Sequence, residues 1–265
     1  MTLDLSPSRP LHMPMPATPA WPPSSLPRLY VDGSLTLGQR IIVEGPQANY
    51  LGTVLRLGQG ARLKLFDDVS GEWLAAIAEP GRRRLTLEVM GHLRDRETVP
   101  DVWLLFAPIK RGRIDWLVEK ATELGAAKLV PIRTQRTIVD RLNLARLRAH
   151  MIEAAEQCER TALPVLGDIE ELGSLLLHWP SDRRLLFADE GGGTPLAEAA
   201  APGPAAIMIG PEGGFTDEER TAIGRLPQAM PVSLGPRILR ADTAAVAALS
   251  LWMAACGDWR SHAVR

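Results

Sequence analysis

The chain has almost none of the residues that would make it a redox, disulfide or zinc protein. Cysteine occurs twice in 265 residues, at Cys158 and Cys256. Neither has a C-x-x-C partner or a histidine at metal-ligand spacing, which argues against a disulfide scaffold and a bound metal. His12, His92, His150, His178 and His262 are equally scattered. No run approaches the roughly 18 apolar residues that a membrane span needs. Net charge is nearly absent, at -1, so the chain as a whole lacks the footprint of an indiscriminate polyanion binder. Two phosphate signatures are missing as well. There is no G-x-G-x-x-G fingerprint and no glycine loop ending in Gly-Lys-Ser/Thr.

What is present is an ordinary globular composition, 46% hydrophobic and 23% charged, long enough for about two domains. The first 26 residues hold Pro7, Pro10, Pro14, Pro16, Pro19, Pro22 and Pro23 but no signal-type apolar core. They are expected to be a disordered lead, or an overlong choice of start codon, and the protein cytoplasmic. Basic residues crowd the middle of the chain, Lys110, Arg111, Arg113, Lys120, Lys128, Arg133, Arg136, Arg141, Arg146 and Arg148. They suit a local polyanion surface, or simply solvated helix faces.

From Arg28 to about Arg96 the rhythm is short and alternating. Strand-length pieces at 28–31, 40–43, 61–66, 73–77 and 84–89 are separated by Asp32-Gly33, Gly58-Gln59-Gly60, Ser70-Gly71 and Pro80-Gly81. Five strands with close turns predict a small β-barrel. A helix over 47–57 interrupts it, with Tyr50, Leu51, Val54 and Leu55 on one face. A charged linker, Arg94 to Pro100, follows. Strand and helix then alternate: a buried strand at 102–109, a helix stopping at Gly125, a strand at 128–132, a helix at 142–161, and strands at 184–188 and 205–209. A helix at 216–225, with a Thr216/Glu219 capping box, a strand at 231–234 and a helix at 242–255 complete the pattern. Alternation of this kind predicts a mostly parallel sheet covered on both faces.

Two glycine-bearing turns carry the chemistry. Gly210-Pro211-Glu212-Gly213-Gly214 and Leu234-Gly235-Pro236-Arg237-Ile238-Leu239-Arg240 each end an apolar strand and lead into a helix. Bare main chain thus sits at the carboxyl edge of a sheet, where open α/β folds bind ligands. Apolar backbone at Ile238-Leu239 can enclose an adenine ring, and Arg240 can hold or polarise a second substrate. Asp242 either caps the last helix or touches substrate. Gly191-Gly192-Gly193 reads as a flexible turn. Lys110-Arg111-Gly112-Arg113, Thr134-Gln135-Arg136-Thr137 and the one-turn pair Glu156/Arg160 are either surface decoration or the walls of a positive cleft.

Ile209-Gly210-Pro211-Glu212-Gly213-Gly214, Leu234 to Arg240 with Asp242-Thr243-Ala244, Glu123-Leu124-Gly125, Glu156-Gln157-Cys158 and Tyr50-Leu51-x-x-Val54-Leu55-Arg56-Leu57 resemble the RsmE-type 16S ribosomal RNA methyltransferases of the SPOUT superfamily. The likeness runs from about Arg28 to Gly257. It implies a PUA-like RNA-binding barrel over residues 27–97 and a SPOUT α/β domain over 98–260 whose C-terminal chain forms a trefoil knot. It also implies a homodimer and methylation of uridine N3 in small-subunit ribosomal RNA from S-adenosylmethionine. Under that reading Phe187, Gly210, Glu212, Gly213, Gly214, Leu234, Gly235, Ile238, Leu239 and Thr243 seat the cofactor. Arg240, Asp242 and Glu156 are the catalytic candidates. Arg28, Arg56, Lys110, Arg111, Arg136 and Arg160 are the RNA contacts. One departure is visible: the family often has Glu in the segment that here reads Arg240-Ala241-Asp242-Thr243. The competing reading is a non-catalytic RNA-binding module, for which the basic stretch and barrel would suffice.

Overall fold

The computed structural model describes residues 26–139 and 141–260; the expected Pro-rich disordered lead lies almost wholly outside them. The described residues form two compact units, one of 26–66 with 70–95, the other of 96–260 with Asp67–Val69.

In the first unit, β1 (Arg28–Tyr30), β2 (Arg40–Glu44), β3 (Arg62–Asp67), β4 (Gly71–Glu79) and β5 (Arg84–Arg94) build one sheet in the order β1-β3-β4-β5-β2. All five expected strands are present. Among the described residues no pairing joins β1 to β2, so the sheet is open rather than a closed barrel. Its apolar side, with Leu63, Leu65, Ile77, Leu85 and Leu87 fully buried, packs on the helical insertion. That insertion is α1 (Gly45–Asn49) running into a π turn, Tyr50–Val54. Its inward face is Ala48, Leu51 and partly Leu55, while Tyr50 and Val54 are exposed. The expected four-residue face is therefore half wrong, because Tyr50 and Val54 form the neighbouring stripe.

Arg28, expected among the RNA contacts, is buried and acid-paired. Its Nε donates to Glu72 at 2.6 Å, its guanidinium lies 4.2 Å above the Phe66 ring, and its side chain is 4% exposed. All three residues of β1 are buried, and alternation puts Arg28 on the face opposite Leu29, where Glu72 also meets Arg94 at 3.1 Å and Lys64 at 3.7 Å. Burial pushes the Glu72 carboxyl upward, but bonds and charge from Arg28 and Arg94 outweigh this and hold it below its ordinary value near 4.5. A depressed carboxyl stabilises the fold above the unfolded pKa and loses that contribution as pH falls through the folded one. Glu72→Gln, which strands buried cations, is expected to cost about 3 kcal/mol at neutral pH. Thermal melts should show the gap to wild type narrowing below pH 4.5; a gap independent of pH would refute this account.

The second unit is a seven-strand parallel path with helices on both faces. Its elements are β6 (Val102–Phe106), α2 (Arg113–Glu123), β7 (Lys128–Arg133), α3 (Leu144–Cys158), β8 (Val165–Leu166), β9 (Glu170–Glu171), α4 (Leu172–Leu177), β10 (Arg184–Ala188), β11 (Thr194–Pro195), α5 (Leu196–Ala199), β12 (Ala205–Ile209), α6 (Asp217–Gly224), β13 (Ala229–Ser233) and α7 (Ala241–Cys256). The order is β11-β13-β10-β12-β6-β7-β8, with β9 beside β7. Strand alternation divides the core. Leu104, Phe106, Ile207 and Ile209 pack with α2, α3, α5 and α7, whereas Leu105, Ala206 and Met208 face Leu172, Leu175 and Ile223 of α4 and α6.

The capping box forms as expected: Thr216 Oγ1 accepts from Glu219 N at 3.2 Å, and Glu219 Oε2 accepts from Thr216 N at 2.9 Å. Asn143 caps α3 in the same way. Gly193, expected in a flexible turn, packs so closely on the Pro231 carbonyl that no Cβ would fit. The "linker" is also held. Glu97 accepts from the amides of Thr161 and Ala162 at 2.7 and 3.1 Å, and Asp68 accepts from Leu163 N and from Arg96 at 2.9 and 3.0 Å.

Candidate active site

Parallel strands send every following turn to one edge. The chain leaves β10 for the edge strand β11, crosses to β12 on the other side of β10, then returns past β10 to β13, so the turns after β10, β12 and β13 face a topological switch point. They line one cleft of about 200 Å³. Of the residues expected to seat a cofactor, Gly210, Glu212, Gly214, Leu234, Gly235, Ile238 and Leu239 line it.

Three do not. Phe187 points to the opposite face, packed with Met208 and Phe215; its neighbour Ala188 lines the cleft instead. Gly213 turns toward Arg136, whose Cδ would be 3.3 Å from an added Cβ. Thr243 is exposed on the first turn of α7, and the helical residues that reach the cleft are Ala241 and Ala244.

The lining has two characters. Ile209, Leu234 and Leu239 give an apolar wall, and Ile238 stands at the mouth, 89% exposed. The same lining carries the carboxylates of Asp189, Glu190 and Glu212, with Arg220 pairing Glu190 at 2.8 Å and Asp189 at 3.3 Å. Gly214 sits at φ 68, which favours glycine, and a Cβ there would lie 2.9 Å from Glu190 Oε1, so that carboxylate would have to shift to admit a side chain.

Arg113, in the first turn of α2, was not among the site candidates and proves central. Its Nη2 donates to Asp242 Oδ1 at 2.8 Å while Nη1 lies 3.8 Å from Glu212 Oε1, joining the two glycine turns. The usable signal was its place just after a strand end. Asp242 is not the cap; Arg240 occupies that position and Asp242 lies in the first turn, also accepting from Thr243 N at 2.8 Å. Arg240 is exposed at the rim and makes no ion pair among the described residues.

Glu156 and Arg160 are elsewhere. α3 runs antiparallel to the strands: Arg146, at its start, pairs with Asp115 near the cleft edge, and Glu156 is ten residues further, about 15 Å along the axis. Arg160 is buried at the amino edge, donating to the Thr122 and Ala126 carbonyls at 2.6 and 2.7 Å, where it satisfies the C-terminal end of α2. The helix direction removes both from the site. Arg136 is exposed but committed to the first turn, donating to Gly213 O at 2.6 Å, while Gln135 N donates to Glu219. Lys110 and Arg111 are exposed at the cleft edge without ion pairs among the described residues.

Residues 96–253 match the RNA methyltransferase domain, and 43–90 the RNA methyltransferase PUA domain. The chain belongs to the RNA methyltransferase family. This methyltransferase is 30% identical, over 84% of its length and 93% of the relative, to ribosomal RNA small subunit methyltransferase E of Rickettsia conorii. A methyltransferase of Legionella pneumophila, solved in complex with S-adenosylmethionine, is 30% identical and aligns over 88% of this chain and 99% of its own at a TM-score of 0.80. The ribosomal RNA small subunit methyltransferase E of Neisseria gonorrhoeae, solved with the same compound, is 28% identical over the same shares at 0.81.

Proposed function

We propose that the protein methylates N3 of a specific uridine in 16S ribosomal RNA, using S-adenosylmethionine, in the cytoplasm. The observation that carries this reading is the convergence of three strand-end turns on one cleft whose lining combines apolar side chains with carboxylates. A ligand with a flat apolar ring and a cationic end is the chemistry such a lining fits. When bound, S-adenosylmethionine supplies an electrophilic methyl on a positively charged sulfur. Leu234, Ile238 and Leu239 would hold its ring, and Gly210, Gly214 and Gly235 would let it approach the main chain.

The remaining work falls to the rim. Arg240 would orient the uracil and stabilise negative charge on its carbonyl oxygens. Asp242, with Oδ1 fixed by Arg113 and Thr243 N, would present Oδ2 to the N3 proton, directly or through water. Lys110 and Arg111 would hold phosphates beside a base taken out of its stack. The finer architecture belongs to the same proposal. A trefoil knot would be formed by the 234–240 turn, which lines the same cleft as the other two turns, and the exposed Thr243, Leu251 and Ala254 side of α7 supports a homodimer. Among the described residues no helix is long and apolar enough to cross a membrane.

Incubating the protein with labelled S-adenosylmethionine and either naked 16S RNA or small subunits should give one N3-methyluridine. If calorimetric titration with S-adenosylmethionine shows no heat, the non-catalytic RNA-binding reading takes its place.

A further inference from the structure

Arg113 reaches two acids that belong to different turns. Its Nη2 donates to Asp242 Oδ1 at 2.8 Å, at the start of α7, and its Nη1 stands 3.8 Å from Glu212 Oε1, in the turn after β12. The first contact is a charge-assisted hydrogen bond, and the second is a looser attraction. Thr243 N also donates to Asp242 Oδ1 at 2.8 Å, so both bonds fall on one oxygen and Oδ2 accepts none among the described residues.

The backbone behind this guanidinium is pinned. Gly112, at φ 87, turns the chain into α2, and its N–H donates to Asp115 Oδ2 at 3.3 Å. Asp115 Oδ1 pairs with Arg146 of α3 at 3.0 Å, and His150 Nδ1 lies 2.7 Å from Glu119 Oε1 one turn further along α2. Acids at 115 and 119 thus face bases at 146 and 150, four residues apart on each helix. The first turn of α2 is held against α3, which leaves the far end of the Arg113 side chain to divide itself between Glu212 and Asp242.

We infer that Arg113 is a positioning residue that couples the cofactor cleft to the base: its guanidinium is shared between Glu212 and Asp242, and a cationic ligand in the cleft, by competing for Glu212, shifts it onto Asp242. The inference rests on the rRNA methyltransferase reading and adds to it a link between the two halves of the reaction. Glu212 lines the cleft and its side chain is 44% exposed, so a ligand's positive group can reach it. Two cations drawn to one carboxylate repel each other, and the looser Arg113 contact yields first. Asp242 then keeps Oδ1 on Arg113 and turns Oδ2 to the N3 proton, which sets the base when the methyl donor is in place.

The test is Arg113→Met, with Arg113→Lys beside it, in the full chain and again in an Asp242→Asn background. Arg113→Met should lower kcat on 16S RNA about 10- to 100-fold, the scale of a small misplacement of a reacting group, with KM for RNA within a few fold of wild type. Arg113→Lys keeps the charge but cannot span two carboxylates, and should recover part of the loss. Once Asp242 is Asn, Arg113→Met should cost no further kcat, because the group it positions is already gone. Calorimetry supplies the second arm. Relative to wild type, Arg113→Met should prefer S-adenosylmethionine over S-adenosylhomocysteine, whose sulfur is uncharged, by about threefold or more, since no guanidinium competes for Glu212. An unchanged preference overturns the coupling. A kcat loss of the same size without Asp242, or S-adenosylmethionine affinity weakened tenfold in Arg113→Met, makes Arg113 a strut of the cleft and overturns the inference as well. Failure of the underlying reading looks different: the wild-type protein itself would neither bind S-adenosylmethionine nor methylate 16S RNA.

Discussion

Replacing Arg240 by alanine is expected to lower kcat by about two to three orders of magnitude, the effect of removing a donor aimed at developing charge, while S-adenosylmethionine affinity stays within a few fold. Arg240 is the N-cap residue of α7, so its backbone is held by the helix while its side chain is exposed and unpaired. Its neighbours Leu239 and Ala241 line the cleft and Arg240 does not. A side chain placed beside the cofactor cleft, but not in its wall, should touch what the cofactor reacts with. Single-turnover rates with calorimetry on the same variant separate the two roles; loss of cofactor binding with normal turnover at saturation would assign Arg240 to the cleft wall.

Gly214→Val should do the reverse, raising the dissociation constant for S-adenosylmethionine about 100-fold or more. Two costs coincide. A β-branched residue at φ 68 is strained by roughly 1–3 kcal/mol, and its Cβ would meet Glu190 Oε1 at 2.9 Å, so the carboxylate tip beside the cleft must shift. Gly213→Val is the matched comparison. Its Cβ would meet only the flexible Arg136 stem, so binding should change far less. Equal losses in both variants would mean that the whole turn, rather than one glycine, sets the affinity.

The layer order and the cleft were legible in the sequence because they follow from periodicity. Apolar runs such as 205–209 gave strands, and a turn after a parallel strand has only one edge to occupy. Thr216 and Glu219 marked a helix start that formed as expected. Misplacements arose where direction or parity mattered. Phe187 failed by one residue of strand alternation, and Glu156 and Arg160 by the antiparallel course of α3. Arg28 failed because an isolated basic residue in a three-residue strand gives no sign of a buried acid 44 positions away. Arg113 was read only as one of a basic cluster for the same reason, its partner Asp242 lying 129 positions on. Long-range pairing of charges has no local signature.

The tip of the β3–β4 hairpin has a practical bearing on how the two units are separated. Asp68 belongs with the second unit through Leu163 and Arg96, and Glu97 grips the amides of Thr161 and Ala162. Neither unit is therefore one uninterrupted stretch of chain. Cutting at a single peptide bond near residue 97 strips anchors from the catalytic half, so an inert fragment would report that damage rather than a need for the front unit. Dissection is better done by side-chain replacement than by truncation.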